Sequence, residues 1–188
     1  MSYFKHETAV IDEGAVVGDE TKVWHFSHII SSANVGSRCI LGQNVFVGED
    51  VCIGNGVKIQ NNVSVYSGVT VEDDVFLGPS VVFTNVNLPR SFIEQKDFQH
   101  TRIGKGASIG ANATIVCGND IGLYSFVGAG AVVTSTVPDY AKYFGAPAVH
   151  KGWVSRIGRD LNFDENGKAI CPETGEVYSL EQNVVRPL

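Results

Sequence analysis

The sequence has little of what would place it in a membrane, on a secretory route or on nucleic acid. Nowhere in its 188 residues do 18 apolar residues run together, so a membrane-spanning helix is not expected. The opening stretch MSYFKHETAVIDEG carries acids within a dozen residues and lacks the apolar core of a signal peptide, which makes a cytoplasmic location the expectation. Cysteines are few and scattered. Cys39, Cys52, Cys117 and Cys171 never approach CxxC spacing, which argues against a zinc ribbon or a redox pair and for isolated, reduced thiols. Cations are also scarce, with 14 Lys and Arg against 20 Asp and Glu. The net charge of −6 argues against nucleic acid as the main partner, because phosphate binding draws on clustered Lys and Arg. The long amphipathic helix of an α/β enzyme is missing as well.

What remains is a chain of 44% hydrophobic residues, enough to bury one substantial core, with its charge unevenly placed. From Ala9 to Val86 three basic residues (Lys22, Arg38, Lys58) face nine acids, whereas Asp139 to Asp160 holds Lys142, Lys151, Arg156 and Arg159 against two. A local anion site near the C-terminus is compatible with that asymmetry.

The dominant feature is a period of six. Cut from Ala9, the chain reads AVIDEG, AVVGDE, TKVWHF, SHIISS, ANVGSR, CILGQN, VFVGED, VCIGNG, VKIQNN, VSVYSG, VTVEDD, VFLGPS and VVFTNV without an insertion. The register resumes at Thr101 with TRIGKG, ASIGAN, ATIVCG, NDIGLY, SFVGAG and AVVTST. The third residue of every hexad is Ile, Val, Leu or Phe. Small or apolar first and third residues around a frequently polar second give the alternation of a short strand. Gly, Asn, Asp and Ser in the remaining places tolerate positive φ and make corners. A strand and a corner every six residues describe a coiled prism. Three hexads per turn would stack residues 18 apart, forming an all-β parallel helix over 9–136. Residues 1–8 form an N-terminal cap in this reading, 87–100 an external loop and 137–188 a C-terminal extension. Within that extension KAICPETGEVYSL reads as a short hairpin around Glu173-Thr174-Gly175.

The stacking rule organises the candidate chemistry. His25, Gln43, Asn61 and Pro79 fall in one corner column, with Phe26, Asn44, Asn62 and Ser80 beside it. These amides, with Lys58 nearby, suit sugar hydroxyls, a uracil edge or phosphates; they would equally serve as a ladder that only caps corners. Asn85 lies in a different column with Ser67, immediately before the single break in the repeat, NLPRSFIEQKDFQH. An inserted loop on a regular scaffold is usually functional. Two neighbouring molecules could bring the two columns together, which one molecule does not easily do. The five histidines (His6, His25, His28, His100, His150) hold outward, corner or loop positions, and none stands out as a base. A three-histidine zinc site would need converging imidazoles, and His25, His28 and His100 converge poorly, so no metal is expected.

The segment SFVGAGAVVTSTVPDYAKYFGAPA resembles the closing part of hexapeptide acetyltransferases, and the whole repeat resembles the left-handed β-helix of that family. The resemblance implies a trimer with active sites between neighbouring prisms. It also implies an acetyl-CoA donor whose pantetheine arm lies along small residues. Gly128 and Gly130 fit that lane, and Gly110, Ala111 and Ala129 are the cofactor candidates there, with Lys151 and Arg156 toward the CoA phosphates. Trp153 packs against the prism in this reading more readily than against adenine. Longer strings, KVWHFSHI, LGQNVFVG, VKIQNNVSVYSGV, EDDVFLGPSVVFTNVNLPRS and IGANATIVCG, resemble bacterial UDP-2-acetamido-3-amino-2,3-dideoxyglucuronate N-acetyltransferases of lipopolysaccharide O-antigen synthesis. The dTDP-3-amino-3,6-dideoxyhexose N-acetyltransferases share much of QNNVSVY and a TN-x-x-x-PR string, with an acid where this chain has Val86. A UDP-amino sugar is the expected acceptor, a dTDP-amino sugar the alternative, and a β-helix without chemistry a third reading. The resemblance puts Asn85 beside the reacting amine as the catalytic residue. It implies Gln43, Lys58, Asn61, Asn62, Tyr66 and Arg90 as substrate contacts.

Overall fold

A computed structural model of the chain describes residues 2–188. Among these residues every regular element is a strand apart from turns and bends, as the absence of an amphipathic helix requires. Two-residue strands wind into three parallel sheets that form the faces of a prism. Face A runs from Phe4–Lys5 through Lys22–Val23, Ile40–Leu41, Lys58–Ile59, Phe76–Leu77, Ser108–Ile109 and Phe126–Val127 to Ala141–Phe144. Face B runs from Val10–Ile11 to Val132–Val133, and face C from Val16–Val17 to Thr101–Ile103. This is the left-handed parallel β-helix that the resemblance implies.

The register bears out the 18-residue coil. Ile40 pairs with Lys22 and with Lys58, and Ser64 pairs with Phe46. Across the loop the step becomes 32, as in Phe76 with Ser108 and Val82 with Thr114, which is one coil plus the 14 residues from 87 to 100. Stacking starts earlier and ends later than the hexads alone suggest. Phe4–Lys5 already pairs with Lys22–Val23, and Ala141–Phe144 still runs parallel to Phe126–Val127. The chain then turns back, and Val149–Val154 pairs antiparallel with Ala141–Phe144, covering the end of face A.

Third-position side chains from Val23 to Val133 fill the prism and are at most 4% exposed, while Ile11 and Val17, near its open start, are half-buried. Each such burial contributes about 1.5–3 kcal/mol, so the stacked columns hold the fold without helices or disulfides. First positions carry small residues whose polar atoms are satisfied in a repeated way. Thr21 Oγ1 donates to Gly36 O (2.7 Å), Ser27 Oγ to Gly42 O (2.8 Å) and Cys39 Sγ to Gly54 O (3.1 Å). Cys39 thus stands in for a hydroxyl, and burial pushes its thiol pKa up. Sixth residues of successive hexads, from Gly14 to Ser80 and from Gly106 to Gly130, all have positive φ. Asn, Asp and Gly fill many of these places, but Phe26 (φ 57°) and Tyr124 (φ 52°) accept a region costly for bulky side chains.

The C-terminal residues fold as expected around Thr174-Gly175. Lys168–Ile170, Val177–Glu181 and Val184–Pro187 make a small antiparallel sheet. It docks through Tyr178, fully buried, whose hydroxyl accepts from the Arg156 N–H (2.9 Å), donates to Glu176 and has its pKa pushed up to about 12 by burial.

Candidate active site

Each edge of the prism collects a different chemistry. The edge between faces A and B consists of residues 24–26, 42–44, 60–62, 78–80, 110–112 and 128–130. The candidates Gln43, Asn61, Asn62, Gly110, Ala111 and Ala129 therefore lie along one line, amides toward the N-terminal coils and small residues toward the C-terminal ones. The ladder function of the amides is partly realised. Asn61 Oδ1 accepts from the Gln43 backbone N–H (2.9 Å), and Asn44 Nδ2 donates to Asn62 Oδ1 (3.1 Å), which leaves the Nδ2 groups of Asn61 and Asn62 and the Gln43 side chain for a ligand. Gly110 is glycine for a structural reason: an added Cβ would collide with the Ala129 backbone nitrogen in the next coil. Ala129, by contrast, is exposed. Lys58 points outward from face A next to this edge, paired in register with Ile40 and Phe76, and no acid among the described residues holds it.

The edge between faces B and C carries Tyr66, Ser67, Asn85 and the loop. Asn85 Nδ2 donates to Ser67 O (3.2 Å), so its side-chain oxygen is the atom left free. The carbonyl of Asn85 accepts from the Gln99 N–H (2.9 Å), which closes the base of the excursion. The next coil ties both stems: Cys117 N–H donates to Thr84 Oγ1 (3.0 Å) and Gly118 N–H to Thr101 Oγ1 (3.1 Å). Cys117 is buried, and its thiol reaches Asn87 Oδ1 (3.1 Å). Sequence reasoning passed over Cys117 as an isolated thiol. Adding one coil and the 14 loop residues to Asn85 would have placed it in the same column. Arg90 stands exposed on the loop, and among the described residues its guanidinium bonds only the neighbouring carbonyl of Pro89 (2.9 Å).

Among the histidines, His28 Nε2 sits 3.0 Å from Asp12 Oδ1 on face B. It is three rungs from Val82, the strand residue preceding Asn85 on that face, and at about 4.8 Å per rung that is roughly 14 Å. His25 belongs to the other edge. His100 is the one near Asn85, sharing a cleft of about 460 Å³ with Ser67 and Gly68 beneath the loop. No group of three His, Cys, Asp or Glu able to hold a metal occurs among the described residues.

The C-terminal cations fall into two sets. Arg156 approaches Glu176 (3.3 Å) and lies over the Tyr124 ring (5.4 Å), at the edge between faces C and A and across face A from Gly110 and Ala129. Arg159 pairs with Glu173 and Lys142 with Asp160. Lys151 alone of the four is exposed without an acid partner among the described residues. Trp153 is 9% exposed and packs edge-on against His150, as expected of a packing residue.

The chain is similar in sequence and fold to proteins already characterised. Residues 50–85 match the bacterial transferase hexapeptide model, described as six repeats, and residues 32–67 and 100–135 match the hexapeptide repeat of succinyl-transferase. A dTDP-3-amino-3,6-dideoxy-α-D-galactopyranose 3-N-acetyltransferase from Aneurinibacillus thermoaerophilus is 46% identical over 98% of this chain and 95% of its own length. A hexapeptide transferase family protein from Anaplasma phagocytophilum superimposes with a TM-score of 0.58, at 18% identity, over 78% of this chain and 80% of that one. The Caulobacter crescentus protein PerB, solved with CoA and GDP-perosamine, gives a TM-score of 0.47 at 22% identity; the match covers 78% of this chain and spans 56% of PerB.

Proposed function

Because this chain belongs to the bacterial hexapeptide-repeat transferases, we propose that it transfers acetyl from acetyl-CoA to the amino group of a nucleotide-linked amino sugar. The observation that carries this reading is the 46% identity with a nucleotide-sugar 3-N-acetyltransferase along nearly the whole chain. That relative favours a dTDP-linked 3-amino-3,6-dideoxyhexose over the UDP-linked 2-acetamido-3-amino-2,3-dideoxyglucuronate expected from the sequence. The second acceptor stays in view because Val86 replaces the acid of the dTDP enzymes, and Arg90 offers a cation for a C6 carboxylate.

Asn85 is the residue proposed to hold the nucleophile. With Nδ2 tied to Ser67, its oxygen accepts an N–H of the neutral sugar amine and turns the lone pair toward the thioester carbon. The N–C bond forms as the carbonyl becomes an oxyanion. Collapse breaks the C–S bond, and the CoA thiolate takes the proton that the amine gives up. An amine already nucleophilic requires no imidazole, whereas a sugar hydroxyl would. Gln43, Asn61, Asn62, Tyr66, Lys58 and Arg90 are assigned to the acceptor. Gly110, Ala111 and Ala129 line the pantetheine arm, with Lys151 toward the phosphates; Arg156, expected there from the sequence, lies at the opposite edge of face A against Glu176. The assembly proposed is a trimer in which the Asn85 edge of one chain faces the Ala129 edge of the next.

Thiol release from acetyl-CoA should accompany turnover of one or both of the 3-amino nucleotide sugars and of neither 3-hydroxy counterpart. Silence with all 3-amino acceptors would refute the assignment. Lys151→Ala should raise the Michaelis constant for acetyl-CoA about tenfold, since a charge-assisted hydrogen bond to phosphate contributes roughly 1.5–3 kcal/mol. An unchanged constant would move the phosphates elsewhere.

A further inference from the structure

We infer that the cleft formed by Trp24, His25, Gln43, Gln60 and Asn61 binds the pyrimidine base of the nucleotide, with Lys22 and Lys58 receiving the diphosphate. The inference rests on the nucleotide-sugar reading above and adds what that reading leaves open, the place of the base.

The column that starts at His6 and Trp24 continues, 18 or 32 residues at a time, through Gly42, Gln60, Gly78, Gly110 and Gly128, and ends under Phe144. From Gly42 to Gly128 the column is glycine except at Gln60, because a Cβ at Gly42 would meet Asn61 Oδ1 at 2.5 Å and one at Gly78 the Ala111 nitrogen at 2.7 Å. Between His6 at one end and Phe144 at the other, only Trp24 and Gln60 project a side chain from it. They are two rungs apart, about 9–10 Å, with the bare Gly42 between them, so the edge carries a slot. An aromatic base intercalated there has a stacking surface on one side and an amide on the other. The cleft measures about 320 Å³ and is open to solvent.

Trp24 is fixed for this use and does nothing for the core. Its ring leans on Phe4 (centroids 5.3 Å) and lies within 7° of the His25 plane at 6.1 Å, and His25 is in turn stacked on His6 at 3.5 Å. Yet Trp24 remains 38% exposed and the adjoining Phe26 61%, the latter in a left-handed backbone conformation. Base–aromatic stacking uses such a platform. The side-chain amides of Gln43 and Gln60 have no partner among the described residues, and Asn61 keeps its Nδ2 free. Primary amides supply donors and acceptors without charge, which suits the alternating acceptor, donor and acceptor of a thymine or uracil edge better than a phosphate. Charge sits beside the slot. Ile40, which also lines it, is paired in register with Lys22 on one side and Lys58 on the other, and both ammonium groups point outward without an acid partner among the described residues. A diphosphate leaving the slot across face A meets both.

Calorimetric titration of the intact protein with dTDP, UDP, GDP and thymidine tests this. The pyrimidine diphosphates should bind at least about tenfold more tightly than GDP. Trp24→Ala and Gln60→Ala should each weaken dTDP about tenfold, Trp24→Phe should restore most of the loss, and affinity for CoA should not change. Lys58→Ala should weaken dTDP but not thymidine. If Trp24→Ala and Gln60→Ala bind dTDP as wild type while the enzyme still acetylates a nucleotide sugar, the base lies elsewhere and the function stands. GDP binding equal to dTDP would overturn the pyrimidine assignment. Trp24-dependent dTDP binding without acetylation of any amino sugar would keep the subsite and remove the proposed reaction.

Discussion

Replacing Asn85 by alanine should lower turnover about a hundredfold or more, because losing one well-placed polar contact to a transition state costs roughly 2.7–4 kcal/mol. The fold should survive. Asn85 is half-buried at an edge, and the loop base retains the Gln99 bond to the residue 85 carbonyl and the two threonine ties to Cys117 and Gly118. The comparison that gives the result meaning is with histidine. His28→Asn should stay within about tenfold of wild type, since its imidazole pairs with Asp12 several rungs away and removal of a true general base typically costs 10²–10⁴. His100→Asn is the stricter control, because His100 shares the cleft with Ser67, which holds Asn85. Steady-state rates for the three variants decide the matter. If His100→Asn loses a thousandfold while Asn85→Ala remains active, an imidazole-assisted transfer replaces the mechanism above.

The second large effect concerns which chains build one site. Asn85 and Ala129 lie on different edges of the prism, separated by face B, so the proposed reaction needs one edge from each of two neighbours. Asn85→Ala and Ala129→Trp should each hold less than about 1% of wild-type activity, the first by loss of the transition-state contact and the second by filling the pantetheine lane. Ala129 is exposed, so the tryptophan does not disturb the core. Refolding the two variants together in equal amounts should restore about a quarter of wild-type activity. In a randomly mixed ring, one site in four draws an intact edge from each partner. Light scattering should give about three times 20.2 kDa for wild type and for the mixture. A mixture no more active than its parts would place both residues in one chain's site.

Some of this was legible in the chain because the repeat is strictly local. A large apolar residue at the third place of every six, followed by corner formers, specifies a strand and a bend wherever it occurs, and uninterrupted stacking converts that into columns by counting. Asn61 above Gln43 and Asn85 above Ser67 follow from arithmetic, and the structure places them so. The C-terminal cations were less legible. Arg156 and Lys151 are five residues apart and look alike in sequence, but the chain reverses after Phe144, which takes Arg156 to Tyr124 and Glu176 while Lys151 remains on face A. Cys117 was hidden for a different reason: the loop displaces its number by 14, so it shares the column of Asn85 only when the count is carried across the break, as the register there shows.

Sequence by itself determined the parallel coil, its 18-residue turn, the buried columns and the single excursion at 87–100, because each depends on neighbours a few residues apart or on a fixed period. The tertiary structure decided which atoms remain free to act. Asn85 turns its nitrogen to Ser67 and leaves an oxygen, Gly42 opens a slot between Trp24 and Gln60, and three of the four C-terminal cations are held by acids. Those outcomes depend on hydrogen-bond geometry and van der Waals distances between successive coils, quantities a one-dimensional pattern does not contain.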